Sequence, residues 1–186
     1  MNHPTKGYFC NHKAEYFRLM LMVRVLFVCL GNICRSPIAQ GVFEQLLEER
    51  GLSDQVSADS AGTAAYHIGE LPDERTRANA RSHGIELTHR ARQVSAADLQ
   101  AFDYVITMDK SNYDNVLKLY QTAGGKAKAL LQMMRSFDVS PDDVDVPDPY
   151  YGGAEGFEHV YQIVRRSAER LIDYLVERHH LNPKQV

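Results

Sequence analysis

Residues 23–51 constrain the fold more than any other stretch. Val23 to Cys29 is short, Val-rich and nearly all apolar, and Gly31 follows it closely, so it reads as a buried strand. Ser36-Pro37 then pairs a favoured N-cap residue with a proline at the first helical position. Ile38, Ala39, Val42, Phe43, Leu46 and Leu47 recur at helical spacing, and Gly51 marks the stop. Gly41 stands inside this helix, where it costs about 1 kcal/mol against alanine.

The same alternation continues. Gln55 to Ala61 reads as a second strand, and Asp73 to His83 as a polar helix between Pro72 and Gly84. Ser95-Ala96-Ala97-Asp98 has the form of a capping box opening a short helix. Tyr104 to Met108 is a third strand, and Asp109 is placed to cap a helix carrying Val116, Leu117 and Tyr120. Beyond Gly124-Gly125, Ala127 to Leu131 is a fourth strand. Phe157, Val160, Tyr161, Val164, Ala168, Leu171 and Leu175 then form one face of a long helix. Strands and helices in alternation predict an α/β fold: a three-layer sandwich with a four-stranded parallel sheet flanked by helices. Ligands of such folds sit beyond the carboxyl ends of the strands, here at the loop after strand 1.

A chain of 186 residues favours one domain, large enough to fold without disulfide or metal. Its 21 basic and 24 acidic residues give a charge of −3, which argues against a nucleic-acid partner. Three irregularly spaced cysteines fit a reducing compartment, the cytoplasm. Arg18 and Arg24 interrupt the apolar stretch from Tyr16 to Leu30, so neither membrane insertion nor a secretory signal is expected. Residues 1–21 show no clear period and read as an appendage, disordered or preceding a true start at Met22. The domain is expected over 22–181, with a tail at 182–186.

The chemistry concentrates in Cys29-Leu30-Gly31-Asn32-Ile33-Cys34-Arg35-Ser36-Pro37. A loop running from a strand into a helix N-terminus can turn successive N–H groups inward, and the helix dipole adds positive field. The result is a site sized for a tetrahedral oxyanion. Arg35 supplies a planar fork for two phosphate oxygens, and a sulfur at the centre of that field is favoured as the thiolate, the nucleophilic form. Ser36 is near enough to hydrogen-bond the sulfur, Gly31 permits a positive φ, and Asn32 can brace the loop from within. No Walker-type nucleotide motif is present. There is also no His-Glu-x-x-His or Cys-x-x-Cys, so neither metal nor cofactor is expected. Phe137 to Pro149 is rich in aspartate (138, 142, 143, 145, 148), lacks Lys and Arg, and reads mostly as a solvated loop. Asp148 alone is held between two prolines, Pro147 and Pro149. His179-His180 reads as the solvated end of the last helix.

From Met22 to His180 the chain resembles the low-molecular-weight protein tyrosine phosphatases. The resemblance rests on Cys29 to Pro37, on Asp148-Pro149-Tyr150-Tyr151-Gly152, and on Asp59 to Gly62 and His83 to Gln93 in order between them. It implies hydrolysis of phosphotyrosine in proteins through a phosphocysteine on Cys29, with Arg35 binding phosphate and Asp148 as general acid and then base. It implies that Leu30, Gly31, Asn32, Ile33, Cys34 and Ser36 line or build the phosphate site. Ser60 and His89, with Asn32, form its supporting network, and Tyr66, Tyr150 and Tyr151 wall an aromatic crevice. Inorganic phosphate is the implied product, and a monomer or weak dimer the expected state. It also supports a protective Cys29–Cys34 disulfide under peroxide.

Three rival functions are weaker. An arsenate reductase of this fold relays a disulfide through downstream cysteines, and none follows Cys34. A protein arginine phosphatase of the family typically has Thr where this chain has Ile33. A phospho-binding module would be expected to lack the nucleophile or the acid.

Overall fold

The computed structural model describes residues 22–123, 125–139 and 143–184. The appendage 1–21, with Cys10, lies outside the described residues, as do Asp142 and the last two residues of the tail. The sheet is built around β1 (Val23–Cys29). It pairs in parallel with β2 (Val56–Gly62) on one edge and β3 (Tyr104–Thr107) on the other, and β4 (Leu130–Met133) adds to β3. The order is β2-β1-β3-β4, all parallel.

Alternate side chains of β1 enter different cores. Val23, Val25, Phe27 and Cys29 face α1 (Arg35–Glu49), α2 (Glu74–Ser82) and α5 (Ala154–His179). Leu26 and Val28 face Leu99 of α3 (Asp98–Ala101) and Val116 of α4 (Lys110–Thr122). Two cores on opposite faces of one sheet are the predicted three-layer sandwich. The chain leaves β1 toward β2 and returns past it to β3. The loops after β1 and β3 therefore diverge at the carboxyl edge and leave a crevice, into which residues 29–36 fold. Among the described residues, no helix is long and apolar enough to cross a membrane.

Several local expectations change. The helix after β1 starts at Arg35, with Cys34 as N-cap and no side-chain cap, because the Ser36 hydroxyl is engaged inside the fold. The fourth strand starts three residues later than expected. The N–H groups of Lys128 and Ala129 donate to the Leu99 carbonyl at 2.9 and 3.2 Å, holding that segment to the end of α3. In the 95–98 turn, the Asp98 carboxylate reaches back to the Ser95 N–H, which is half of the expected capping box, but the Ser95 hydroxyl also donates to that carboxylate instead of accepting from the backbone. Leu117 faces outward while Val116 is buried. His179 is not merely solvated: its Nε2 meets the hydroxyl of the buried Tyr104 at 2.8 Å. The acidic loop is not simply solvated either. Asp138 has a fully buried carboxylate gripped by Arg166 at 2.8 and 2.9 Å, and Arg135 pairs with Asp143. Its cations come from outside the loop, where composition could not show them.

Two glycines explain close approaches. At Gly51, φ is +63°, and a Cβ would lie 2.6 Å from the Lys184 carbonyl oxygen. Residues 182–184 thus lie against the α1–β2 turn, where Asn182 and Gln55 exchange two hydrogen bonds and Lys184 pairs with Asp54. At Gly41, a Cβ would stand 2.6 Å from Leu87 Cδ2 and 2.8 Å from Ile85 Cγ2, both buried. The missing side chain lets the 85–87 segment lie on α1. Gly41→Ala gains about 1 kcal/mol of helix propensity but overpacks a tight contact, which costs about 1–3 kcal/mol. The variant is expected to be less stable than the parent in urea denaturation, the reverse of what an exposed helix position would show.

Candidate active site

The loop between β1 and α1 is shaped by one left-handed residue, which is Asn32 rather than Gly31: its φ is +56°. Asparagine tolerates this region better than most side chains. Gly31 serves a different need, since a Cβ there would lie 3.0 Å from the His67 ring. The turn at Asn32 aims its own N–H at Cys29 Sγ, 3.2 Å away.

The Asn32 amide is wholly buried and fully used. Its Nδ2 donates to Ser36 Oγ at 2.9 Å and to Ser60 Oγ at 3.0 Å. Its Oδ1 accepts from His89 Nε2 at 2.8 Å and from the Arg92 N–H at 2.9 Å. The Ser60 hydroxyl donates in turn to Gln40 Oε1 at 2.8 Å. Burial lowers the His89 pKa, helped by Arg92 and opposed by Asp59, so the ring stays neutral with Nε2 as donor. Ser36 Oγ stands 3.1 Å from Cys29 Sγ and 3.3 Å from the Ala61 carbonyl, and its single proton can serve either.

Arg35 is the charged wall. Its side chain is 5% exposed, and Nη1 donates to Asp109 Oδ2 at 2.6 Å and to the Val146 carbonyl at 3.1 Å. Nη2 lies 3.3 Å from Asp148 Oδ2. Burial is the largest single influence and works against the charge. The fields of Cys29, Asp148 and Asp109 outweigh it, and the guanidinium pKa is raised. Asp148 is partly exposed, and its Oδ1 accepts from the Tyr150 N–H at 3.1 Å. Burial pushes the neighbouring Cys34 thiol up to about 12, so it stays protonated at neutral pH. Both Cys29 and Cys34 are unpaired.

Cys29, Leu30, Gly31, Ile33, Cys34, Arg35, Tyr66, Asp148, Tyr150 and Tyr151 all line one open cleft of about 360 Å³. Asn32, Ser36, Ser60 and His89 lie behind it as the bracing layer. The Tyr66 and Tyr151 rings stand at the mouth, largely exposed, and apolar surface dominates the walls. Cys29, the Arg35 fork and the Asp148 carboxylate share this cleft, the last two in contact. An anion there would meet one fixed cation, an adjacent sulfur, and a carboxylate able to carry a proton on the solvent side.

Sequence reasoning missed four residues of this region. Asp109 reads as a helix cap, and it is one, with Oδ1 accepting from the Asn112 N–H at 2.6 Å; its other oxygen holds Arg35. Gln40 is a plain polar residue on a helix face. Arg92 contributes a backbone N–H, invisible in any residue pattern, while its guanidinium pairs with Asp59 and Asp98. His67 lines the cleft from an exposed loop.

The comparisons with known proteins agree with this geometry. The family model for low molecular weight phosphotyrosine protein phosphatases matches residues 24–181. The low molecular weight protein-tyrosine-phosphatase YfkJ of Bacillus subtilis is 43% identical over 152 residues, 81% of this chain and 94% of the relative. The crystal structure of a protein tyrosine phosphatase from Entamoeba histolytica, with Hepes in its active site, superposes with a TM-score of 0.78. It is 37% identical, over 86% of this chain and 99% of that one. A Drosophila arginine phosphatase also superposes with a TM-score of 0.78, at 32% identity over 81% of this chain and 96% of that one. In architecture, in the loop after its first strand and along nearly the whole of its described domain, the chain belongs to the low molecular weight phosphotyrosine protein phosphatase family.

Proposed function

We propose that this protein hydrolyses phosphotyrosine in protein substrates and releases inorganic phosphate. The observation that carries the reading is that Cys29, the buried Arg35 fork and Asp148 line one cleft with three tyrosines, the fork and the carboxylate in contact. Arg35 and the loop backbone bind the phosphate and stabilise charge on its equatorial oxygens. The Cys29 thiolate attacks phosphorus in line, the P–O bond to the phenol breaks, and protonated Asp148 gives its proton to the leaving oxygen. The same carboxylate then takes a proton from the water that cleaves the phosphocysteine. Ser36 turns its hydroxyl to the sulfur when it carries charge, before attack and again as it departs. Tyr66, Tyr150 and Tyr151 offer ring faces to a phenyl group, which a phosphoserine would not reach.

Ile33 on the cleft wall favours the phenyl ester over the planar guanidinium ester of phosphoarginine. The Cys29 and Cys34 thiols need a reducing compartment to remain free, which supports the cytoplasm as the place of action. The primary test is turnover of p-nitrophenyl phosphate, a phosphotyrosine peptide and phosphoarginine by one preparation, without added metal or thioredoxin. Turnover of the first two far above the third is the expected result; a phosphoarginine preference would replace the substrate assignment.

Cys29→Ser is expected to bind phosphate and vanadate while losing turnover, because a hydroxyl is not ionised in the same field. Activity above a few per cent of the parent's would remove Cys29 as nucleophile. Asp148→Asn is expected to lower turnover by roughly 10² to 10⁴ for substrates with basic leaving groups, and much less for an activated phenol. Equal losses on both would take Asp148 out of the acid role. Peroxide converts the Cys29 thiolate to a sulfenic acid; the Cys34 sulfur then attacks the Cys29 sulfur, the S–O bond breaks, and the hydroxyl leaves as water with the Cys34 proton, forming a disulfide. Recovery in dithiothreitol after peroxide is therefore expected to fall in Cys34→Ala relative to the parent, and equal recovery would argue against the pairing.

A further inference from the structure

We propose that Arg75 is a positioning residue for the acid loop, holding Asp148 in reach of the leaving group while Arg35 is occupied by phosphate. The inference rests on the assignment of Asp148 as general acid. Among the described residues, two hydrogen bonds tie the segment 148–152 to parts of the fold distant in sequence. One joins Asp148 to Arg35, at 3.3 Å. The other runs from Arg75 Nη1 to the Tyr150 carbonyl, at 2.9 Å. A phosphate that takes the Arg35 fork competes with Asp148 for it, since a protonated acid gives up its charge pairing with the guanidinium. The Arg75 contact then becomes the one that keeps the loop in place.

Arg75 is built for this task. Its Nε and Nη2 donate to Asp73 Oδ1 and Oδ2 at 3.0 and 2.9 Å, which fixes the plane of the guanidinium. Its Cζ lies 4.8 Å from the Phe157 ring centroid and 5.3 Å from that of Tyr150. Asp73 is fixed in turn at the N-cap of α2, and its N–H donates to the Ile33 carbonyl of the phosphate loop at 2.8 Å. The Tyr150 N–H then donates to Asp148 Oδ1 at 3.1 Å. A continuous path therefore runs from the phosphate loop through Asp73, Arg75 and Tyr150 to the acid carboxylate. None of its members touches the reacting atoms except Asp148.

The test is kcat/KM across aryl phosphates of differing leaving-group basicity, together with the inhibition constant for vanadate. Arg75→Ala is expected to lose about tenfold on phenyl phosphate and less than about threefold on a nitro-activated aryl phosphate, with vanadate binding unchanged. Arg75→Lys keeps the charge but not the fork, and is expected to show the same bias at reduced size. In an Asp148→Asn background, Arg75→Ala is expected to add less than about twofold, because both changes remove one function. Equal losses on both substrates, weakened vanadate binding, or a further tenfold loss in the Asp148→Asn background would each overturn the inference. Asp148→Asn alone distinguishes the two claims. Leaving-group dependence there with none in Arg75→Ala sinks only the role of Arg75, whereas its absence in Asp148→Asn sinks the acid assignment and this inference with it.

Discussion

The site depends on a buried amide. Asn32 is the left-handed residue that curls the loop after β1, and its side chain occupies the space the curl creates. Four hydrogen bonds use both donors and both lone pairs, and they reach three separate segments: the start of α1, strand β2, and the loop holding residues 89 and 92. A buried amide left partly unpaired costs on the order of 1–3 kcal/mol per missing partner. The loop therefore has one low-energy shape, and that shape turns a backbone N–H onto the Cys29 sulfur. His89 serves the loop through its Nε2 donor, and burial, which lowers its pKa, keeps that donor on an uncharged ring.

Around this neutral brace sits a charged layer centred on Arg35. Its guanidinium is buried, and a buried cation without anions would be strongly destabilising. Asp109 answers it from the turn after β3, and Asp148 answers from the loop before α5. The unequal lengths of the two contacts suit unequal duties. Asp109, at 2.6 Å and mostly buried, fixes the orientation of the fork, whereas Asp148, at 3.3 Å and half exposed, is held loosely enough to turn toward another partner. Asp138 and the two arginines that grip or flank it anchor the far end of the acidic loop to α5.

How much of this was legible from residues alone depended on distance along the chain. Cys29, Arg35 and Ser36 lie within one short string, and the strand before it and the helix after it are both strongly patterned, so their assembly could be read directly. Asp148 stood out from its acidic neighbours through its two prolines and through the family resemblance. The capping role of Asp109 was visible because it is local. Its grip on Arg35 spans 74 positions and was not visible. The Arg92 N–H reaches Asn32 across 60 positions, and Arg75 reaches Tyr150 across 75. Pattern arguments see what neighbours in sequence do, and these residues act on neighbours in space. The edge strand β4 was displaced for a related reason. The residues just before it are held by the Leu99 carbonyl of another element, and its own side chains carry little alternation.

The two layers of the site also divide the chain. Cys29, Asn32, Ser36, Ser60, His89 and Arg92 all precede β3, so the neutral brace belongs to the first half of the domain. The carboxylates that answer Arg35 come with residues 109 and 148. A partly folded state with the brace formed and the second half open would lose the carboxylates that answer Arg35 together with the β1–β3 pairing and the core that α1 and α5 share. Such a state is disfavoured against the fully folded chain. The guanidinium thus adds an ionic link to a core that the two halves already share, so the thiol and the acid that serve the same phosphate belong to one packed unit.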